Sequence, residues 1–255
     1  MKMSDPYIKA TKAFVRYPIA LTGGQQSALA STARALTGGR VGHNSAVTYI
    51  ESLRDVTLSL KAGDRLGLIG RNGAGKSTML KLLSGLLPPA KGSISIVGTR
   101  TNILSLGAGM DGEETGLQNI DHACRLLEIP RSKWASVKED IVNFTELGEF
   151  IAMPVRTYSA GMGMRLMFAM ATAYPRDILI LDEVIGAGDA MFIEKAIARM
   201  QRFIEHSSIL VLATHDYQLI EAFCNRALYI HRGAIVADGD PAVAWKLYKQ
   251  SESGV

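Results

Sequence analysis

The sequence predicts an α/β fold with a mainly parallel core sheet, an antiparallel β edge and an inserted helical subdomain. Three observations predict it. A glycine-rich loop over residues 70–78 joins an apolar strand segment to a helical segment. Short apolar segments alternate with helical ones after residue 177. Between residues 116 and 174 the strand pattern disappears and helical spacing replaces it, which indicates a helical lobe inserted into the core.

The composition is that of a chain with a sizeable core. It has 255 residues, 47% of them hydrophobic and 20% charged, which suits one large α/β domain. No apolar run approaches the roughly 20 residues of a membrane-spanning helix, and residues 1–6 lack the apolar segment of a secretory signal, so we expect a cytosolic chain. The net charge of +4 suits nucleic acid, an anionic bilayer surface and phosphate-rich ligands equally. Cys124 and Cys224 form no CxxC motif and are expected to be buried thiols.

The N-terminal part of the chain predicts antiparallel strands. A first strand over residues 8–17 is expected to stop at Pro18, which has no N–H for ladder pairing. Residues 20–46 repeat the sequence ALTGG on either side of a short helical segment, residues 25–35. We interpret this region either as a surface insertion of small residues or as a docking helix for a partner or membrane surface. Residues 47–60 contain two apolar-rich pieces, which predict paired strands covering one edge of the glycine-rich loop.

The glycine-rich loop predicts a phosphate site. Its sequence, GRNGAGKST, lies between a buried strand over residues 66–69 and a helix from Met79. Glycines let the backbone point its N–H groups inward, and the helix N-terminus adds positive potential, so the loop is expected to bind a nucleoside triphosphate. Lys76 would reach the β- and γ-phosphates, and the Ser77 hydroxyl would ligate Mg²⁺. The residues expected to contact the nucleotide are Gly70, Asn72, Gly73, Ala74, Gly75, Lys76, Ser77 and Thr78.

The rest of the chain completes the predicted core around the helical lobe. Further strands are predicted over residues 93–97, 178–181, 209–213, 228–231 and 235–237. Helices are predicted over residues 117–128, 134–147 and 162–174, around an apolar face of Ile193, Ile197, Met200 and Ile204, and over residues 241–248. We predict a single domain over residues 1–255, with its core at 1–104 and 175–250 and a helical subdomain at about 105–174.

Two carboxylates and a histidine follow apolar strands. Asp182 ends the strand over residues 178–181 and is expected to reach Mg²⁺, whereas Glu183 is placed to polarise the water that attacks the γ-phosphate. His215 follows the strand over residues 209–213, from where it can donate a hydrogen bond to the γ-phosphate. The sequence therefore predicts hydrolysis as well as binding.

A second anion site is predicted at the start of a helix. Ser159 is a good N-cap, and Gly161 leaves the N–H groups of the first turn open. If this site lies on the helical lobe, one γ-phosphate cannot fill both it and the loop at Gly70 within a single subunit. Two copies of the chain facing head to tail would let each copy complete the other's site.

These motifs occur together and in a characteristic order. GxxxxGKS, YSAGM, ILILDE, GAGD and THD together resemble an ABC-type ATPase. More narrowly, residues 8–242 look like the nucleotide-binding subunit of bacterial polysaccharide exporters of the O-antigen (Wzt-like) and teichoic-acid group. The stretches that carry the narrower resemblance are LSLGAGMDGEETGLQNI (residues 104–120), PVRTYSAGMGMRLMFAMA (residues 154–171) and DEVIGAGDAMFIEKA (residues 182–196).

The resemblance implies a role for each matched motif. Residues 70–78 would be the Walker A loop and residues 178–182 the Walker B strand. Glu183 would be the catalytic base and His215 the switch histidine. The signature that closes on the partner subunit's ATP, together with the D-loop acid, would be supplied by Ser159, Gly161, Met162 and Asp189.

The resemblance also implies an aromatic side chain stacked on adenine. Tyr17 is our choice because it ends the first predicted strand, and Tyr49 is the alternative. The glutamine that most ABC ATPases have before the helical lobe is absent near Ser105 and Leu106. The exporter group carries an apolar Leu-Gly loop there, so residues 106–110 are expected to contact the permease instead.

The function implied by the resemblance is ATP hydrolysis coupled to export. A homodimer would bind two ATP molecules with Mg²⁺ and push on two copies of an integral-membrane permease, at the cytoplasmic face of the bacterial inner membrane. The implied cargo is a lipid-linked polysaccharide of the O-antigen type, with teichoic acid or capsule as alternatives. A non-transport ABC ATPase acting on nucleic acid or ribosomes is a further alternative. The chain has one cassette and no heptad repeat, so no nucleic-acid partner is expected. Residues 245–255 are too short for the C-terminal carbohydrate-binding domain of some relatives, so none is expected.

Overall fold

The computed structural model describes residues 5–19, 41–44, 47–102, 110–182 and 190–253. The strands are β1 (Tyr7–Ile19), β2 (Val41–Asn44), β3 (Val47–Lys61), β4 (Arg65–Ile69), β5 (Lys91–Val97), β6 (Arg100–Asn102), β7 (Ile178–Asp182), β8 (Ile209–Ala213), β9 (Arg226–His231) and β10 (Ala234–Gly239). The α-helices are α1 (Lys76–Leu83), α2 (Gly116–Leu126), α3 (Trp134–Thr145), α4 (Ala160–Ala171), α5 (Ala190–Glu205), α6 (Tyr217–Phe223) and α7 (Pro241–Ser253).

The chain divides into two compact units. The first consists of Met1–Gly98 and Ile209–Val255, and the second of Thr99–Ser208. The second unit contains the three predicted helical segments together with β6, β7 and α5. The narrower helical subdomain predicted over residues 105–174 stays a prediction. In the described part of the chain, every helix is too short or too polar to cross a membrane.

The first unit contains an antiparallel sheet with the strand order β2-β3-β1-β5. The side chains of Val56, Leu58 and Leu60 alternate along β3 and are buried, as their spacing predicts. Residues 47–60 form one continuous strand instead of two pieces, because β3 is paired along its length with β2 or β1. The antiparallel edge predicted from the sequence is thereby confirmed.

The expected end of the first strand at residue 17 is wrong. Strand β1 continues to Ile19, and Pro18 lies opposite Tyr49 in the register with β3. Pairing of β1 with β5 extends only as far as Phe14, opposite Lys91. The last residues of β1 therefore have a described partner strand on one side only, and proline is tolerated at such an edge because no ladder hydrogen bond is lost there.

The first unit also contains the parallel strands that were predicted around the glycine-rich loop. Strand β4 pairs in parallel with β8 and with β9, and β10 pairs antiparallel with β9. Strands β4 and β8 are almost continuously apolar and buried, as parallel strands covered on both faces require. In their register Leu68 lies opposite Ala213, so the segments after the two strands begin side by side.

Two helices of the first unit differ from the prediction. The sequence pattern did not predict α6, a seven-residue helix capped by Asp216, whose carboxylate accepts from the N–H of Gln218 at 2.8 Å. Its only buried residue is Ile220, so it has too little apolar periodicity to be recognised. Helix α7 begins at Pro241 as predicted, but it extends to Ser253 instead of residue 248.

The second unit confirms the three helices predicted before residue 175. Thr115 and Gln118 form a reciprocal capping box at the start of α2. The rings of Phe144, Phe168 and Phe192 pack together with centroids 5.5–6.4 Å apart, joining α3, α4 and α5. Strands β6 and β7 pair in parallel.

The apolar face predicted for α5 is partly wrong. Met200 and Ile204 are buried as expected, but the Ile197 side chain is 38% exposed. The buried stripe instead passes through Phe192, Ala196, Met200 and Phe203. This stripe also follows helical spacing. It faces the core because the rings of Phe192 and Phe203 bury more apolar surface than Ile193 and Ile197 would.

One buried arginine holds three helices of the second unit together. Arg199 of α5 is 8% exposed and binds the Asp140 carboxylate through Nη1 at 3.1 Å and Nη2 at 2.5 Å. Its Nε donates to the Thr172 hydroxyl at 2.7 Å, and its guanidinium lies 4.3 Å from the centre of the Phe144 ring. The charge is therefore paired and hydrogen-bonded, which a buried guanidinium requires.

We expect Arg199→Ala to lower the free energy of unfolding by about 2–3 kcal/mol, because it removes a charged hydrogen-bond partner from Thr172 and Asp140 in a buried position. Urea denaturation followed by circular dichroism measures the change. Arg202→Ala, on the exposed face of the same helix, is the control and should stay within about 0.5 kcal/mol of the parent. Equal losses in the two variants would contradict the assignment.

Candidate functional site

The glycine-rich loop leaves the end of β4 and enters α1 through backbone conformations that favour glycine. Gly70, Gly73 and Gly75 have φ angles of 157°, 73° and 117°. A Cβ at Gly70 would lie 2.5 Å from the carbonyl oxygen of Ile230, and one at Gly75 would lie 3.1 Å from that of Ser52. The predicted turn between strand and helix is confirmed, and its shape depends on glycine for space as well as for dihedral angle.

Hydrogen bonds connect the loop with the turn between β9 and β10, and through that turn with β3. The N–H of Gly233, in the turn between β9 and β10, donates to the Ala74 carbonyl at 2.8 Å. The Gly233 carbonyl accepts in turn from the N–H of Arg54 in β3 at 2.8 Å. In addition, the hydroxyls of Ser52 in β3 and Thr78 in α1 are 3.1 Å apart. Strand β3 thus lies against the loop, as the sequence analysis predicts.

Lys76 is the first residue of α1 and is only 9% exposed. Its ammonium donates to the Gly70 carbonyl at 2.5 Å and to the Arg71 carbonyl at 3.3 Å. The same Nζ lies 3.3 Å from Nε2 of His215. Because an ammonium can only donate, Nε2 can accept from Lys76 only in the tautomer that carries its ring proton on Nδ1. The two residues, 139 positions apart in sequence, therefore meet at the carboxyl ends of β4 and β8.

The other loop residues differ in exposure. Asn72, Gly73 and Ser77 are exposed, whereas Ala74 and Thr78 are buried. The N-cap of α1 is Gly75, which has no side chain with which to cap the first turn. A helix N-terminus and a buried ammonium at the end of a glycine-rich loop are features typical of an anion-binding site.

In the second unit, the predicted second anion site is an exposed helix start. Ser159 is the N-cap of α4, and its Oγ accepts from the N–H of Met162 at 3.2 Å. Ser159 and Gly161 are exposed, and a Cβ at Gly161 would meet no atom closer than 3.9 Å. The N-cap prediction for Ser159 is confirmed, and the turn is open to approach from outside.

Tyr158 anchors this turn from the preceding residue. Its hydroxyl donates to the Phe150 carbonyl at 2.7 Å. Burial raises the pKa of Tyr158 above its ordinary value, so the hydroxyl keeps the proton that it donates. The tyrosine thus fixes the chain just before the exposed serine.

Asp182 is the last residue of β7, after four buried residues, and is half-buried. This confirms a carboxylate at the end of an apolar strand. Glu183 and Asp189 lie outside the described residues, as do Ser105 and Leu106 and nearly all of the segment 20–46. Their predicted roles stay predictions.

The two tyrosines considered for stacking on adenine are both half-buried. The guanidinium of Arg16 lies 4.3 Å from the centre of the Tyr49 ring and is bound by the Glu51 carboxylate at 2.6 Å. One face of Tyr49 is therefore already covered by a cation. This favours Tyr17, although Tyr17 does not end β1 as the sequence analysis assumed.

Several residues that shape the loop could not be predicted from the sequence. Ser52, Arg54 and Gly233 have no local motif, since their contacts with the loop join segments far apart in the chain. The dipeptide of Arg232 and Gly233, with φ angles of 47° and 79°, is a turn signal, but only the folded chain shows that its N–H reaches Ala74.

Comparison with known proteins identifies similar chains. The family model described as "ABC transporter" matches residues 53–186. The O-antigen export system ATP-binding protein RfbE of Yersinia enterocolitica is 44% identical over 223 residues, covering 86% of this chain and 92% of that protein. The teichoic acids export ATP-binding protein TagH of Levilactobacillus brevis is 36% identical over 207 residues, covering 81% of this chain and 57% of that protein. This chain thus spans nearly all of the first relative and a little over half of the second.

A solved structure confirms the fold. The dimeric post-hydrolysis state of the ATP-binding cassette MJ0796, bound to ADP and Pi, matches with a TM-score of 0.67. The match covers 92% of this chain and 98% of that chain at 19% sequence identity. At this identity the likeness concerns the fold alone.

We expect Gly70→Ala to lower the free energy of unfolding by about 2 kcal/mol or more, because the new Cβ would meet the Ile230 carbonyl within the contact limit. Gly73→Ala is the matched control, since Gly73 also has a positive φ but has open space around its Cβ position. It should cost only about 1 kcal/mol of backbone strain. Denaturant unfolding of both variants measures the difference, and equal costs would contradict the steric argument.

Proposed function

The chain belongs to the ABC transporter family of ATPases, and we propose that it is the motor subunit of an exporter that moves a lipid-linked polysaccharide of the O-antigen type. The observation that carries the proposal is the convergence of the glycine-rich loop, Lys76 and His215 at the ends of β4 and β8. The cargo is supported by the name of the relative with 44% identity, of which this chain covers 92%. Teichoic acid is the second candidate cargo, supported by the name of the relative with 36% identity.

The loop residues suit a triphosphate. Lys76 and the N–H groups at the start of α1 would bind the β- and γ-phosphates, and His215 would contact the γ-phosphate. The Ser77 hydroxyl and the Asp182 carboxylate are oxygen donors of the kind that Mg²⁺ prefers, so these residues would hold it. When bound, Mg²⁺ supplies charge neutralisation on the phosphates. Glu183 would orient and polarise the attacking water as the base.

Each site is completed by a second copy of the chain in this proposal. Ser159, Gly161 and Met162 would close on the ATP held by the partner's loop, with Asp189 beside them. The turn at the start of α4 supports this arrangement, because the residues that the structure describes leave Ser159 and Gly161 exposed. Closure of two such sites would convert ATP binding into mechanical work on the permease.

The remaining contacts follow the same proposal. Tyr17 would stack on adenine, and residues 106–110 would touch the permease, which would be present in two copies. The homodimer would work as a peripheral complex at the cytoplasmic face of the inner membrane. For residues 20–46, a surface insertion and a docking helix both stay open.

Composite sites predict that two inactive variants restore each other. Lys76→Ala should lose ATP binding, and Ser159→Arg should bind ATP but lose turnover, since it blocks the partner's site. A heterodimer of the two contains one complete site, formed by the intact loop of one subunit and the intact serine turn of the other. Mixing the variants and measuring phosphate release should therefore recover part of the parent rate.

The control for this experiment is the double variant Lys76→Ala/Ser159→Arg mixed with Lys76→Ala. No dimer in that mixture contains an intact loop, so no activity should return. Failure of the first mixture to recover activity, with heterodimers verified by two affinity tags, would overturn the shared-site arrangement.

Removal of the proposed base should separate binding from hydrolysis. We expect Glu183→Gln to lower kcat by about 100-fold or more while ATP still binds, because the amide cannot accept a proton from water. ATP should then hold the variant as a dimer in size-exclusion chromatography. A parent-like rate in Glu183→Gln would exclude Glu183 as the base.

A further inference from the structure

Three cations surround one tryptophan in the second unit. Trp134 is the first residue of α3, and its side chain is half-buried. Its indole Nε1 donates to the Ile129 carbonyl at 2.8 Å, which fixes the ring against the segment between α2 and α3. The centre of the ring lies 4.5 Å from the Arg131 guanidinium, 5.8 Å from that of Arg125 and 5.8 Å from the Lys138 ammonium. All three distances are within the range of about 6 Å at which an aromatic ring attracts a cation.

The segment around this ring is strongly basic. Residues 125–138 contain four cations and one carboxylate, that of Glu128, whereas the whole chain has a net charge of +4. Lys138 forms an ion pair with Asp121. The other three cations are exposed and form no ion pair with a described residue: Arg125, Arg131 and Lys133. Like charges gathered on one surface repel each other, and an anionic partner would relieve that repulsion.

We call these residues the Trp134 patch: Arg125, Arg131, Lys133, Trp134 and Lys138. An exposed apolar side chain adjoins the patch, because Leu126 follows Arg125 at the end of α2 and is 65% exposed. No other large apolar side chain in the described part of the chain has a higher exposed fraction. Cations, an indole and an exposed leucine together suit the headgroup layer of a bilayer, where phosphates meet the first carbons of the acyl chains.

The same charges would attract a nucleic acid, but the arrangement of the ring favours a lipid surface. Proteins that bind single-stranded nucleic acid stack bases on the open faces of aromatic rings. The Arg131 guanidinium already lies over the Trp134 ring, and the indole is half-buried. A phospholipid headgroup needs no open ring face, because its phosphate binds to the cations around the ring.

We propose that the Trp134 patch binds the anionic phospholipid headgroups of a membrane surface. The proposal rests on the peripheral membrane location proposed above, and it adds a direct lipid contact to the contact with the permease. Each cation beside an anionic leaflet strengthens binding about fivefold. Three such cations give a weak and reversible attachment, which supplements the permease contact and does not replace it.

The test uses the fluorescence of Trp134 in the full chain. The chain has two tryptophans, so Trp245→Phe leaves Trp134 as the sole reporter. With vesicles of phosphatidylcholine and phosphatidylglycerol, its emission should shift to shorter wavelength and be quenched by brominated acyl chains, because the ring enters the less polar interfacial layer. Vesicles of phosphatidylcholine alone should leave the emission unchanged. Raising the ionic strength from about 0.05 M to about 0.5 M should reverse the shift, since salt screens exposed charges.

The second tryptophan is the matched control. Trp245 of α7 packs against the rings of Tyr217 and Tyr248, with centroids 5.1 Å and 5.2 Å away. The nearby Lys249 ammonium is paired with the Glu252 carboxylate at 3.0 Å. Trp134→Phe leaves Trp245 as the sole reporter, and its emission should respond to neither kind of vesicle.

Removal of single charges tests the cations directly, by co-sedimentation with the anionic vesicles. Lys133→Gln leaves all three ring contacts in place and should lower the partition coefficient about fivefold. Arg131→Gln/Lys133→Gln should lower it about 10- to 30-fold. Lys246→Gln/Lys249→Gln removes the same net charge from exposed positions of α7 and should change it less than about twofold.

Three results would overturn the proposal. The first is an unchanged Trp134 emission on anionic vesicles. The second is an equal loss of binding in the two double variants, since attraction would then follow net charge alone. The third is tighter, salt-sensitive binding to a single-stranded RNA oligonucleotide than to the vesicles, which would assign the patch to nucleic acid.

The proposed ATPase function is tested separately from the lipid contact. The patch variants should hydrolyse ATP at the parent rate without vesicles, because the Trp134 patch contains none of the residues proposed to bind or hydrolyse ATP. A parent chain that hydrolyses ATP but ignores anionic vesicles overturns the lipid contact alone. A parent chain that fails to hydrolyse ATP overturns the proposed function instead.

Discussion

The close backbone contact between the glycine-rich loop and its neighbours is the constraint on which the site depends. Gly70 lies where a side chain would collide with the Ile230 carbonyl, and Gly75 lies against Ser52 and Leu53. The loop is therefore shaped by its contacts with β9 and β3, as well as by its own glycines. The shape of the loop, on which the proposed phosphate site depends, is therefore a property of the folded first unit.

The parallel register of β4 and β8 brings a second functional side chain, His215, to the glycine-rich loop. It places the segments after the two strands side by side, and so brings the Lys76 ammonium to Nε2 of His215. Buried and almost continuously apolar strands suit this purpose, because they fix the position of the residues that follow them and leave those residues at the edge of the sheet. The second unit contributes a comparable arrangement, with Asp182 at the end of β7.

Support for the loop comes from more of the first unit than its motif indicates. The turn at Gly233 binds the Ala74 carbonyl, and Ala244 and Tyr248 of α7 pack in one buried cluster with Ile69, the residue before the loop. The turn at Ser159 differs from the loop in its exposure. It is anchored by the hydrogen bond from Met162 to Ser159 and by the hydroxyl of Tyr158, but Ser159 itself is exposed to solvent. A supported loop and an open turn are what a site shared between two subunits would require.

The sequence by itself determined the fold class, most strand and helix positions and the motif residues from Gly70 to Thr78, because these depend on local periodicity, glycine conformation and capping. It also determined that Ser159 caps a helix, since the serine and the helical run are adjacent in the chain. Only the tertiary structure decided that β1 passes through Pro18, that Phe192 and not Ile197 faces the core, and that Ser52, Gly233 and α7 support the loop. The reason is physical: these outcomes depend on contacts between segments distant in sequence, and the edge position of a strand or the packing of aromatic rings exists only once those segments meet.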